Sequence, residues 1–123
     1  MLEHAELTEA IIGAAIEVHH DLGPGFLESI YEGALSVELE KRRISYVRQL
    51  SVPVLYKGRQ VGEHRLDLLV ADKIVVELKA IKSLEDVHFA VVRSYLRATN
   101  HKHGLVLNFS GTKVEIRRVI AGG

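Results

Sequence analysis

From Leu66 to Leu78 the residues on one parity are apolar: Leu66, Leu68 and Val70, then Ile74, Val76 and Leu78. The other parity reads Arg65, Asp67 and Leu69, then Val75, Glu77 and Lys79. Alternation with a period of two marks a strand that buries one face. The break at Ala71-Asp72-Lys73 predicts a tight turn between two antiparallel strands. Both strands must point their even residues the same way, because a slip of one residue turns a whole apolar set to water. A hairpin centred on Asp72 then sets Asp67 opposite Glu77 and Arg65 opposite Lys79. Like charges placed opposite each other destabilise a sheet. Two carboxylates about 5 Å apart repel by roughly 3 kcal/mol at an effective dielectric near 20. Diagonal pairing of Asp67 with Lys79, and of Glu77 with Arg65, offsets part of this. The pattern points to a cation-binding acidic pair with an ammonium group beside it. A solvated strand face carrying Glu and Lys two residues apart is the plain structural alternative.

Helical periodicity occupies the flanks. Leu7, Ile11, Ala14, Ala15, Val18 and Leu22 predict a first helix, stopped by Gly23-Pro24-Gly25. A second helix follows with Leu27, Ile30, Tyr31, Ala34, Leu35 and Leu39 on its inner stripe. Lys41-Arg42-Arg43 suits the negative end of its dipole. Ile44 to Tyr56 reads as a strand in which Pro53 marks an edge or an irregularity. Lys57-Gly58-Arg59 turns the chain into the strand that ends near Val70. Ser83 with Asp86 resembles a capping box opening a third helix. Its stripe is Leu84, Val87, His88, Val91, Val92, Tyr95 and Leu96, and Asn100 to Gly104 closes it. Leu105 to Phe109 is nearly all apolar, as expected of a buried strand. Lys113 to Ile120 is the last strand. This order predicts an α+β fold: a mixed sheet flanked by helices, in one domain over residues 1–123.

Composition narrows the chemistry. A hydrophobic share of 47% and a charged share of 26% are those of a soluble globular chain. No apolar run reaches the length of a membrane span, and Met1-Leu2-Glu3-His4 lacks a signal-peptide core, so a cytoplasmic location without a membrane partner is expected. Without cysteine the chain has no thiolate nucleophile, disulfide or cysteine zinc site. Sixteen basic residues balance sixteen acidic ones, whereas strong autonomous grip on duplex phosphates usually shows a basic excess. His19 and His20 diverge as neighbours on a helix. His101 and His103 sit in a loop, where they either chelate a transition metal or face solvent. His88 shares a helix face with Tyr95, and either lines a cleft or packs through a hydrogen bond.

Residues 25–31 read Gly-Phe-Leu-Glu-Ser-Ile-Tyr, a G-x-x-E-x-x-Y match preceded by Gly23-Pro24. Tyr56-Lys57-Gly58, Asp67-Leu68-Leu69-Val70, Val76-Glu77-Leu78-Lys79-Ala80, His88, Tyr95-Leu96-Arg97-Ala98-Thr99 and Leu107-Asn108-Phe109 follow in order. Over nearly its whole length the chain resembles the family of small bacterial proteins named for the GxxExxY signature. That family is similar to the PD-(D/E)xK nuclease superfamily. The resemblance implies a restriction-endonuclease-like core of a helix, a three-stranded antiparallel meander, a helix and a further strand. It also implies Asp67 and Glu77 as the metal-binding pair, Lys79 as the catalytic lysine, and Glu28 as a helix acid completing the metal shell. Tyr31, His88, Tyr95 and Arg65 are the candidates for substrate contact. Mg2+, or Mn2+, is the expected ion, since a hard cation takes carboxylate oxygens, keeps several waters and bridges to a phosphate. One departure stands out: many relatives carry a glutamine four residues before the tyrosine of the third helix, and here that position is Val91.

Metal-dependent phosphodiester hydrolysis of DNA or RNA, either weak or dependent on a partner, is the expected function. The alternative is a non-catalytic module of the same fold that holds a nucleotide or a dinucleotide cofactor such as a flavin. No Gly-rich loop of the Rossmann or Walker kind is present to support it. Self-association into a homo-oligomer is compatible with either.

Overall fold

The computed structural model describes residues 4–122, so of the segment weighed above as a leader only His4 lies among the described residues. Its elements are α1 (Ala5–Leu22), α2 (Glu28–Lys41), β1 (Tyr46–Tyr56), β2 (Arg59–Val70), β3 (Ile74–Lys79), α3 (Asp86–Thr99), β4 (His103–Asn108) and β5 (Glu115–Ile120). The strands form one sheet in the order β1-β2-β3-β4-β5. β3 and β4 are parallel, joined through α3, and the other neighbours are antiparallel. This is the mixed α+β architecture that the apolar pattern predicts, and it is consistent with a restriction-endonuclease-like core. Among the described residues no helix is long and apolar enough to cross a membrane.

The sheet separates two cores. On one face Leu68, Val70, Ile74, Val76, Leu78, Leu105 and Leu107 meet Ile11, Ala14 and Val18 of α1 and Tyr31, Leu35 and Leu39 of α2. On the other, Leu69, Val75 and Val106 meet Val92 and Leu96 of α3. Such double-sided burial explains why β3 and β4 read as continuous apolar runs.

Several expected details move. Leu27 precedes the first turn of α2 in an extended conformation and is 73% exposed, and Ile30 is half-exposed, so the inner stripe begins at Tyr31. α3 starts at Asp86 rather than Ser83: the Glu85 side chain accepts the His88 N–H, and His88 Nδ1 accepts the Glu85 N–H. Its inward stripe runs through Phe89, Val92 and Leu96, which leaves Val87 and Val91 exposed. Pro53 lies on the edge strand opposite Glu63, with a register shift just beyond it at Val54/Leu55. His101 is not simply turned to solvent; Nε2 bonds the carbonyl and carboxylate of Asp72 at 3.1 and 3.2 Å. His103 packs edge-on against His4.

The hairpin carries the important result. Leu68 pairs with Val76, Leu69 with Val75 and Val70 with Ile74, which is the register centred on Asp72. Ala71 and Asp72 both take positive φ, 53° and 54°, and the Lys73 N–H donates to the Val70 carbonyl, as in a type I′ turn. Yet Leu66 joins the α3-side core, not the face of Leu68. β2 leaves β3 at Leu68 and continues with β1 alone as a two-stranded ribbon, which twists more strongly than a wide sheet. Gln49 of β1, at φ 51°, breaks the alternation at the same level. Arg65 therefore pairs with Ser51 of β1, and Lys79 with Asn108 of β4, so the two do not face each other.

Candidate active site

Where β2 and β3 part, the ladder leaves amides in need of acceptors, and two acids supply them. The Asp67 N–H donates to Glu77 Oε2 at 2.8 Å, and the Leu78 N–H donates to Asp67 Oδ2 at 2.9 Å. Each carboxylate thus completes the other residue's strand, and the pair is held together by the backbone itself. Glu77 is 5% exposed and Asp67 half-buried. Nothing among the described residues bonds Glu77 Oε1.

A third acid reaches in from α2. Glu32, also buried, accepts from Arg48 Nε at 3.0 Å and from Gln49 Nε2 at 2.7 Å. The same Gln49 amide stands 3.3 Å from Asp67 Oδ1 and so bridges the helix acid to the strand pair. The left-handed backbone at Gln49 is what aims its side chain, a strain of the kind that collects at functional sites. On the α3 side Tyr95 packs against the His64 ring at 4.6 Å, and Ser94 Oγ lies 3.2 Å from His64 Nε2.

Burial is the main cause that pushes the Glu77 carboxyl up to about 8, and the Asp67 charge adds to it. Glu32 pushes the same way, while the Asp67 amide and the Lys79 ammonium pull down. The Tyr95 phenol is raised by burial and by the charges of Glu77 and Asp67. Asp67 and Glu32 thus bring negative charge to bear on Glu77, which Lys79 offsets only in part. Among the described residues no three His, Asp or Glu side chains converge as a metal cluster. Two converging carboxylates fit Mg2+, which is held by one or two carboxylates with waters and phosphate oxygens. They do not fit a closed four-ligand zinc site.

A family model, PD-(D/E)XK nuclease superfamily, matches residues 5–119. The chain belongs to the PD-(D/E)XK nuclease superfamily. No curated protein matches its sequence. Solved structures with a similar fold include that of SSO0001, with a TM-score of 0.61 and 16% identity. The match covers 98% of this chain and 60% of that one, so the chain spans less than two thirds of the length of SSO0001. An alkaline exonuclease (LHK-Exo) from Laribacter hongkongensis is similar with a TM-score of 0.58 and 10% identity, over 99% of this chain and 73% of that one. At such identities the likeness is one of fold.

Within this superfamily fold the candidate residues part company. Asp67 and Glu77 touch through the backbone, and Lys79 and Tyr95 lie within electrostatic reach of the pair. Glu28 is the exposed first residue of α2; the acid coupled to the pair is Glu32, one turn later. Tyr31 is fully buried, stacks on Phe109 at 4.5 Å, donates to the Gly23 carbonyl at 2.6 Å and accepts the Phe26 N–H. It stitches the α1–α2 corner. His88 caps α3. Arg65 is exposed and stands 4.0 Å from Glu63. Val91 is 39% exposed and brings no polar side chain.

Glu32, Arg48, Gln49, His64 and Ser94 are the site neighbours that the sequence pattern does not single out. Glu32 does leave a trace: it stands three residues before Leu35 and seven before Leu39, a charge inside an apolar stripe. Gln49 leaves none, because its role depends on a positive φ.

Proposed function

We propose that the protein is a metal-dependent phosphodiesterase that hydrolyses DNA, with RNA as the second substrate to test, in the cytoplasm. One observation carries the reading: reciprocal amide bonds force Asp67 and Glu77 together in a buried position beside Lys79. The superfamily signature reads onto Asp67 and onto Glu77-Leu78-Lys79, with Leu66 in the place of its proline.

In this reading the carboxylates of Asp67 and Glu77 would hold Mg2+ or Mn2+, with Glu77 Oε1 left without a partner among the described residues. An ion held there would supply Lewis-acid polarisation of a phosphoryl oxygen and a bound water of lowered pKa. Lys79, whose ammonium makes no ion pair among the described residues, orients the attacking water or stabilises charge developing on the phosphorus oxygens. Glu32 and Gln49 fix the orientation of Asp67. Tyr95 and His64 form the wall against which substrate rests.

The test is cleavage of plasmid DNA, single-stranded DNA and RNA with Mg2+, Mn2+ or EDTA. Metal-dependent cleavage should fall at least about a hundredfold in Glu77→Gln and in Lys79→Ala, with folding intact. Cleavage by both variants at the wild-type rate would trace the activity to a contaminant and remove the proposal.

A further inference from the structure

The balanced charge of the chain conceals a strong segregation. Residues 5–41, which form α1 and α2, carry eight acidic side chains against one basic. Residues 42–123 carry fifteen basic against seven acidic. α1 and α2 cover one face of the sheet and α3 the other, so the acidic excess is concentrated on the first face, where Arg42, Arg48, Lys113 and Arg118 from the later segment also lie against the two helices. A polyanion is disfavoured on the acidic α1–α2 layer.

On the second side the β1–β2 ribbon and α3 enclose a cleft of about 440 Å³, lined by Pro53, Val54, Leu55, His64, Ser94 and Arg97. The cleft adjoins the acidic pair: His64, which lines it and packs on the Tyr95 ring, stands three residues before Asp67 on β2. Its walls are largely apolar, with the guanidinium of Arg97 as the cation and Leu55, 62% exposed, available for contact.

We propose that this cleft seats a single-stranded nucleic-acid segment, its bases against Leu55, Pro53 and His64 and a phosphate at Arg97, running toward Asp67 and Glu77. The inference rests on the nuclease reading and names the substrate form that reading leaves open. A duplex hides its bases and presents phosphates, which call for a spread of cations. An apolar wall with one aromatic ring and one guanidinium suits unstacked bases, whose faces bind such surfaces with little regard to sequence.

Fluorescence anisotropy in EDTA tests binding apart from cleavage. The probes are labelled oligothymidylate of about 12 nucleotides, within the span a single-strand site covers, and a duplex of the same length. The full chain should bind the single strand at least about tenfold more tightly, and Leu55→Asp should weaken it about tenfold. Arg97→Gln should also flatten the slope of log affinity against log salt by about 0.7. Lys113→Gln, beside α1 on the opposite side, should change neither. Equal affinity for duplex, or equal losses from Lys113→Gln and Arg97→Gln, overturns the inference. Intact cleavage without cleft binding sinks this inference alone, whereas cleft binding without any Mg2+-dependent cleavage sinks the nuclease reading alone.

Discussion

Glu77→Gln should make the metal-free protein more stable above neutral pH. The amide oxygen of glutamine can still accept the Asp67 N–H that Glu77 Oε2 takes, so the strand junction survives. What disappears is a buried carboxylate beside two other acids. An ordinary glutamate loses its proton near 4.5, while the folded protein holds this one to about 8. As pH rises through that window the unfolded chain releases its proton first, and unfolding gains. The contribution is therefore fully present below about pH 4.5 and lost by the time pH passes 8. At about 1.4 kcal/mol per pH unit, the ceiling on this loss is about 5 kcal/mol. Urea denaturation in EDTA across pH 4.5 to 9, wild type against Glu77→Gln, isolates it, because other titrations cancel in the difference. The two should be nearly equal in acid and diverge steadily toward pH 9, with the variant ahead. Mg2+ should narrow the gap by stabilising the wild type alone, by about 3 kcal/mol at a hundred times its Kd. A difference that is flat with pH, or that favours the wild type in alkali without metal, would refute the argument.

Three further outcomes follow from the same geometry. Calorimetric titration of Mg2+ should show binding to wild type and none to Asp67→Ala; it should weaken about tenfold in Glu32→Gln and stay unchanged in the exposed Glu28→Gln. Gln49→Ala should cost about 1–2 kcal/mol of stability by removing donors from two carboxylates while keeping the left-handed backbone, whereas Gln49→Gly should cost about 1 kcal/mol less, as denaturant midpoints would show. Tyr31→Phe should cost about 1–2 kcal/mol, through the lost bonds to Gly23 and Phe26, with cleavage rates unchanged.

The parts legible in the sequence are those fixed by short-range pattern. Period-two alternation and a turn centre determine the β2–β3 register, and 3.6-residue stripes place α1 and the body of α3. Three kinds of information lie beyond that reach. The crossing of Leu66 to the other core depends on where β2 abandons β3, a question of sheet width rather than alternation. Gln49 depends on one dihedral angle in an edge strand. The identity of the helix acid depends on how far α2 slides along the sheet: Glu28 and Glu32 lie one turn apart on the same face, and only packing chooses between them. Net charge misleads for a related reason, since it sums an acidic pair of helices, α1 and α2, with a basic remainder of the chain.

The crossed amide bonds at the parting of β2 and β3 have a consequence for metal capture. A carboxylate on a free side chain must surrender its rotamers when an ion arrives, and that lost freedom weakens binding. Here the main chain has already clamped one oxygen of each acid, and the Gln49 amide steadies the other oxygen of Asp67. An incoming ion finds a ready-made pincer whose jaws cannot swing wide, so little ordering remains to be done at the moment of capture.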